Sequence, residues 1–163
     1  MLLDELIKPA SVACNVQTHS KKHCLELLSE KLAAPDRRLT SEQIFARLVE
    51  RERLGCTSLA KGVAFPHCRV SGLETARGAL LTLATPIEFD AVGGEMVDLV
   101  FGLMVPEVLE ETHYAVVDRI AALLSDDRLL ARLRAAHDDG ELYRAIMSAR
   151  PDSRLKTGSA GRG

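Results

Sequence analysis

The chain has no tryptophan, and aromatic residues make up only 4% of its 163 positions. Aromatic platforms for stacking single-stranded nucleic acid are therefore not expected. It also lacks an excess of either charge: 21 Lys and Arg stand against 23 Asp and Glu. That balance gives no reason to expect nucleic acid or an anionic membrane as a partner. No apolar run approaches the roughly 20 residues that span a bilayer. The longest, Val97 to Pro106, is interrupted by Asp98. The start, MLLDELIKPA, has no basic segment leading into an apolar core, so no secretory signal is expected. Together these absences point to a cytoplasmic protein without membrane insertion. Cysteines 14, 24, 56 and 68 form no C-x-x-C pair, and four free thiols are the expectation.

What remains is an ordinary globular composition, 47% hydrophobic and 27% charged, at a length that suits one domain with a proper core. Its expected extent is 1–149. The tail 150–163, RPDSRLKTGSAGRG, carries no apolar pattern and reads as disordered. Apolar spacing predicts a helix from a Thr18 cap to about Leu32. A second runs from Thr40 or Ser41 to about Arg53, with Ile44, Phe45 and Leu48 on one face. From Leu54 the pattern breaks into short apolar pairs among glycines, which reads as short strands and turns. Ala79–Thr85 and Val97–Val105 are continuous apolar runs, suited to interior strands covered on both faces. They are joined through Pro86 to Glu95, with a turn at Gly93-Gly94. A third long helix should begin near 110–112 and reach Leu124. Two short helices follow, with Ser125 and Asp139 as candidate caps. Helices on both faces of a buried sheet make an α/β (or α+β) three-layer sandwich.

Three residues carry potential chemistry. His67 follows Gly62-Val63-Ala64-Phe65-Pro66, where proline stiffens the backbone that delivers the imidazole at a strand end. Imidazole titrates near neutral pH, so one ring nitrogen can serve as a nucleophile while the other needs an acceptor. Taken alone, a surface or core histidine is the commoner reading. His113 should face inward at the first turn of the third helix, where the helix end and a ring donor favour an anion. A half-buried histidine of the capping turn fits the same pattern. Arg51 continues an apolar helix face and needs an anionic partner there. The bland version is a snorkelling side chain or a partner for the helix C-terminus. Arginine grips phosphate oxygens with paired donors. Two imidazoles and a guanidinium would make a phosphoryl-transfer pocket, with one nucleophile and two groups that neutralise the equatorial oxygens.

The motifs around these residues resemble a known family. Arg51-Glu52-Arg53-Leu54-Gly55-Cys56-Thr57, followed by Lys61-Gly62-Val63-Ala64-Phe65-Pro66-His67, is similar to the signature of enzyme IIA proteins. These belong to the fructose/mannitol class of the bacterial phosphotransferase system. Ser20-Lys21-Lys22, Thr85-Pro86-Ile87-Glu88-Phe89-Asp90-Ala91, Val97-Asp98-Leu99-Val100-Phe101 through Val105-Pro106, and Thr112-His113 resemble further family segments. Within the class the nitrogen-regulatory members are most similar. The resemblance implies a central mixed sheet between helical layers and phosphorylation of His67, with His113 and Arg51 lining its pocket. It implies neither metal nor organic cofactor. The donor would be a small histidine-containing phosphocarrier protein of the HPr or NPr kind. That carrier would be fed by an enzyme I that uses phosphoenolpyruvate. The recipients would be regulatory target proteins or a IIB domain. Departures are Cys68 where glycine is usual, Cys56 where serine is usual, and Ala115 where a second histidine often stands. Cys68 matters most, because a thiol beside the acceptor could crowd it or be oxidised.

Three rival readings use the same residues. A regulatory binding module of this fold would carry no phosphate. A zinc site from Cys56, His67, Cys68 and His113 has suitable ligand types but matches no zinc spacing. A cysteine hydrolase would need Cys68 or Cys56 beside a histidine. Adjacent residues on an extended strand point apart, which counts against His67 with Cys68.

Overall fold

Two long apolar strands run antiparallel through the middle of the protein, β4 (Arg77–Glu88) and β5 (Met96–Pro106). The computed structural model describes residues 3–36, 38–108 and 111–149. The expected disordered tail lies outside them. β1 (Val12–Val16) pairs in parallel with β4, while β2 (Val63–Ala64) and β3 (His67–Val70) both pair in parallel with β5. The sheet is therefore mixed, in the order β1-β4-β5 and then β2 and β3 along the far edge.

Alternation along the central strands divides the core. Leu80, Leu99, Phe101 and Leu103 face one layer, and Ala79, Leu81, Val100 and Met104 face the other; all are fully buried. The first layer contains α1 (Leu3–Leu6), α4 (Glu111–Leu123), α5 (Asp127–Ala135) and α6 (Asp139–Met147). The second contains α2 (Lys21–Ala33) and α3 (Ser41–Leu54). Each fully buried leucine contributes about 1.5–3 kcal/mol, so the two continuous apolar runs alone commit the chain to covering both faces. This is the expected three-layer α/β arrangement. α2 lies directly on β5: a Cβ on Gly102 would sit 2.7 Å from Leu28 Cδ2.

Several boundaries differ from the sequence expectation. The cap of α2 is Ser20, whose side chain accepts from His23 N at 3.1 Å, not Thr18, which is buried in the segment before it. The caps of α5 and α6 are Asp126 and Asp138, each one residue from Ser125 and Asp139. Ser125 instead donates to the Ala122 carbonyl, and Asp139 accepts from the backbone of β1. β4 continues through Pro86 to Glu88, because the register slips between Thr82 and Ile87 and pairing then resumes. The turn at Gly93 and Gly94 is present, with positive φ at both. α3 carries the expected Thr40 cap, reinforced by a reciprocal Gln43 bond.

Candidate functional site

Residues 63–70 form the edge beside β5, and Pro66 divides them into β2 and β3. The proline has no N–H to offer, but its carbonyl accepts from Leu103 N at 3.0 Å, so the edge stays attached to β5 across the break. His67 thus opens a strand rather than closing one. The expectation of a strand end is corrected in that sense: the interruption comes before the histidine.

The ring of His67 is half-buried and packs against Phe65 with centroids 4.8 Å apart. Its Nδ1 lies 2.8 Å from the Phe65 carbonyl oxygen. A carbonyl only accepts, so Nδ1 carries the proton and Nε2 keeps its lone pair. Burial pushes the His67 pKa below the usual imidazole value. The Phe65 hydrogen bond opposes that shift, the nearby Arg51 charge adds to it, and Glu52 opposes it. The net result favours a neutral ring.

A cleft of about 500 Å³ wraps this edge, between α3 on one side of the sheet and α4 on the other. His67, Arg51 and His113 all line it. The three residues that looked unrelated in sequence are therefore brought to one place. Arg51 sits in the last turn of α3, where Nη1 donates to the Gly55 carbonyl at 3.0 Å. The helix-end role considered for it is thus present alongside its place in the cleft. His113 is half-buried in the first turn of α4, as expected from the stripe continued by Val116, Ile120 and Leu123.

The cleft also includes Arg47, Glu50, Leu54, Arg69, Glu107 and Tyr114, none of which stood out in the sequence. Two of them had a usable signal. Arg47 is one helical turn before Arg51, and Arg69 is two residues beyond His67 on the same strand face. Leu54 and Tyr114 are 83% and 60% exposed, so the mouth of the cleft carries apolar surface. A second cavity of about 630 Å³, lined by Glu5, Lys8, Ser11 and Arg77 among others, contains no histidine. Its Arg77 is already paired with Asp36 at 3.0 Å.

Cys68 follows His67 on β3 and also borders the cleft, but it is only 6% exposed. It is buried in the α2–α3 layer, and desolvation pushes its thiol up to about 12. A buried, protonated thiol is a poor nucleophile, which removes the support for a Cys68 hydrolase. Cys56 donates to the Phe89 carbonyl at 3.0 Å. Among the described residues no three His, Cys, Asp or Glu side chains cluster in a way that could hold a metal. Cys56, His67, Cys68 and His113 therefore do not assemble into the zinc set considered from sequence. Among the same residues, no helix is long and apolar enough to cross a membrane.

Residues 5–149 match the family described as phosphoenolpyruvate-dependent sugar phosphotransferase system, EIIA 2. The chain belongs to this family. It is 38% identical over 145 residues to the nitrogen regulatory protein of Pseudomonas aeruginosa, covering 89% of this chain and 94% of that one. The nitrogen regulatory protein of Escherichia coli K12 is 37% identical over 146 residues, with 88% of each chain covered. The crystal structure of nitrogen regulatory protein IIA-Ntr from Neisseria meningitidis superposes with a TM-score of 0.79 at 30% identity, covering 88% of this chain and 98% of that one. The enzyme IIA resemblance read from the motifs is thus shown as family membership over residues 5–149. In this enzyme IIA chain His67, Arg51 and His113 line one cleft, and Cys68 is buried in the core.

Proposed function

We propose that this protein is a phosphoryl carrier that accepts phosphate on His67 Nε2 and acts in the cytoplasm mainly as a nitrogen or metabolic regulator. The observation that carries the reading is the Nδ1 contact to the Phe65 carbonyl, in a ring that shares its cleft with Arg51 and His113. Donation from Nδ1 raises electron density at Nε2 and fixes the ring plane. In the transfer, Nε2 attacks phosphorus in line with the leaving nitrogen of the donor's phosphohistidine. The N–P bond on the donor breaks as that on His67 forms. Arg51 neutralises charge on the equatorial oxygens, and His113 supplies a ring donor to them. No metal or organic cofactor is needed for this step.

The donor in this reading is a small histidine-containing phosphocarrier protein, charged from phosphoenolpyruvate by an enzyme I. Exposed Leu54 and Tyr114 give such a protein apolar contact at the cleft mouth. The relatives named nitrogen regulatory protein favour a regulatory output, in which the phosphorylation state selects the target proteins bound. A IIB domain is the alternative recipient, for a transport role.

Labelling decides the reading. Incubation with enzyme I, a phosphocarrier and radiolabelled phosphoenolpyruvate should place an acid-labile, base-stable label on the protein. His67→Ala should lose it completely while remaining folded. A wild-type chain that takes no label would leave the regulatory module without phosphate as the better description. Full labelling of His67→Ala would show that the acceptor is another residue.

A further inference from the structure

We propose that Glu52 is a positioning residue for His67, acting through Thr57 and the backbone of Phe65. The inference rests on the reading of His67 as phosphoryl acceptor and adds residues that the acceptor chemistry does not itself require.

Glu52 follows Arg51 in the last turn of α3, yet its side chain is 5% exposed. A buried carboxylate is costly unless its oxygens are satisfied. Here they are, from two sides. Lys21 Nζ, at the start of α2, lies 2.9 Å from Oε2 and also sits over the Phe89 ring at 4.8 Å. Burial disfavours the Lys21 charge, but the Glu52 bond and charge, together with Cys56 and Asp90, outweigh it and push the lysine pKa up. On the other side, the Thr57 hydroxyl donates to Oε1, and Thr57 N donates to Oε2 at 3.4 Å.

Thr57 then continues the path. Its carbonyl accepts from Phe65 N at 2.9 Å, and the Phe65 carbonyl accepts from His67 Nδ1. Leu59 N donates to the Val63 carbonyl at 2.7 Å, so residues 57–59 run back along 63–65 as a short antiparallel clasp. Three hydrogen-bonded steps, joined covalently within Thr57 and Phe65, therefore connect the Glu52 carboxylate to the imidazole. Arg51 grips the same turn through Gly55. Adjacent residues at the end of α3 thus do different jobs: Arg51 reaches the cleft, and Glu52 holds the backbone whose carbonyl sets the histidine tautomer.

Structural support alone would predict a loss of stability and nothing more. Positioning predicts a change at the ring. Histidine labelled with ¹⁵N in the full, unphosphorylated chain reports the tautomer in long-range ¹H–¹⁵N spectra. Wild type should show His67 in the Nδ1–H form. Thr57→Val, nearly isosteric, and Glu52→Gln should show averaged tautomers. Their phosphoryl uptake at saturating donor should fall about tenfold, as for partners that orient a working histidine, with the half-saturating donor concentration unchanged. Thr57→Ser should restore both readouts. If Glu52→Gln fails to fold without its charge opposite Lys21, Thr57→Val carries the test. Wild-type tautomer and uptake in a folded Thr57→Val would overturn the proposal, as would failure of Thr57→Ser to restore them. A wild-type chain that takes no label would instead remove the carrier reading, and the tautomer comparison would still decide whether the clasp positions His67.

Discussion

The two edges of the sheet are both irregular, but they end differently. At the β1 edge the register slips after Ala13, and Asn15 takes a positive φ of 53°. Its N–H finds the Thr82 hydroxyl at 2.9 Å. The strand's outer side is then sealed from α6 and the turn before it: Cys14 N donates to Asp139 Oδ1 at 2.7 Å, and Cys14 Sγ donates to the Ala136 carbonyl. At the other edge Pro66 makes the break, and nothing among the described residues fills the space between α3 and α4. An unsealed edge invites unwanted pairing, and here a proline, a buried clasp and a charged cleft occupy that position instead. The comparison teaches that an irregularity becomes a site only where no neighbouring element closes over it.

Substitutions at each edge should separate these roles. The largest effect belongs to the open edge. Arg51→Ala should slow phosphoryl uptake about 100-fold, the cost of removing one preorganised donor to developing charge. The lost Gly55 bond should remove only about 1 kcal/mol of stability. His113→Ala should slow uptake less and leave the acceptor intact. Single-turnover labelling beside urea denaturation measures both quantities, and a stability loss without a rate loss would place Arg51 among purely structural residues. At the sealed edge the expectation is reversed. Asp139→Ala should lose about 1 kcal/mol on denaturation through its bond to Cys14, with uptake unchanged. Slowed uptake there would show that the edges are coupled.

The smallest effect is a pH dependence. Burial lowers the His67 pKa, so the reactive neutral ring should persist as pH falls past the ordinary value of 6.5. Uptake should hold its plateau through that point and decline only below it. The unfolded chain gains this proton first, so the stability associated with the neutral ring is present above 6.5 and is lost as pH falls. A rate profile that bends above 6.5 would mean that the Phe65 hydrogen bond and the Glu52 charge outweigh burial at the ring.

Much of this was legible in the residues. Continuous apolar runs announced β4 and β5, and the stripe through Val116 and Ile120 announced α4. The Gly93-Gly94 turn and the Thr40 cap were read from local chemistry. Caps placed one or two residues away, at Ser20, Asp126 and Asp138, were missed because several oxygen-bearing side chains precede each helix. Only backbone geometry selects the one that reaches a free N–H. Pro86 to Glu88 read as part of a connection because a proline and polar residues mask a strand whose pairing resumes beyond a register slip.

The site was legible as residue types and not as a place. By itself the sequence determined a three-layer fold, a stiffly delivered imidazole and a family signature, because these depend on periodicity and on adjacent residues. Tertiary structure alone decided that His67, His113 and Arg51 share one cleft, since residues 46 and 62 positions apart are brought together only by packing across the sheet. It also decided that Cys68 turns into the core, because a strand sends successive side chains to opposite faces. The same packing buried Glu52 between Lys21 and Thr57, whose carbonyl accepts from Phe65 N.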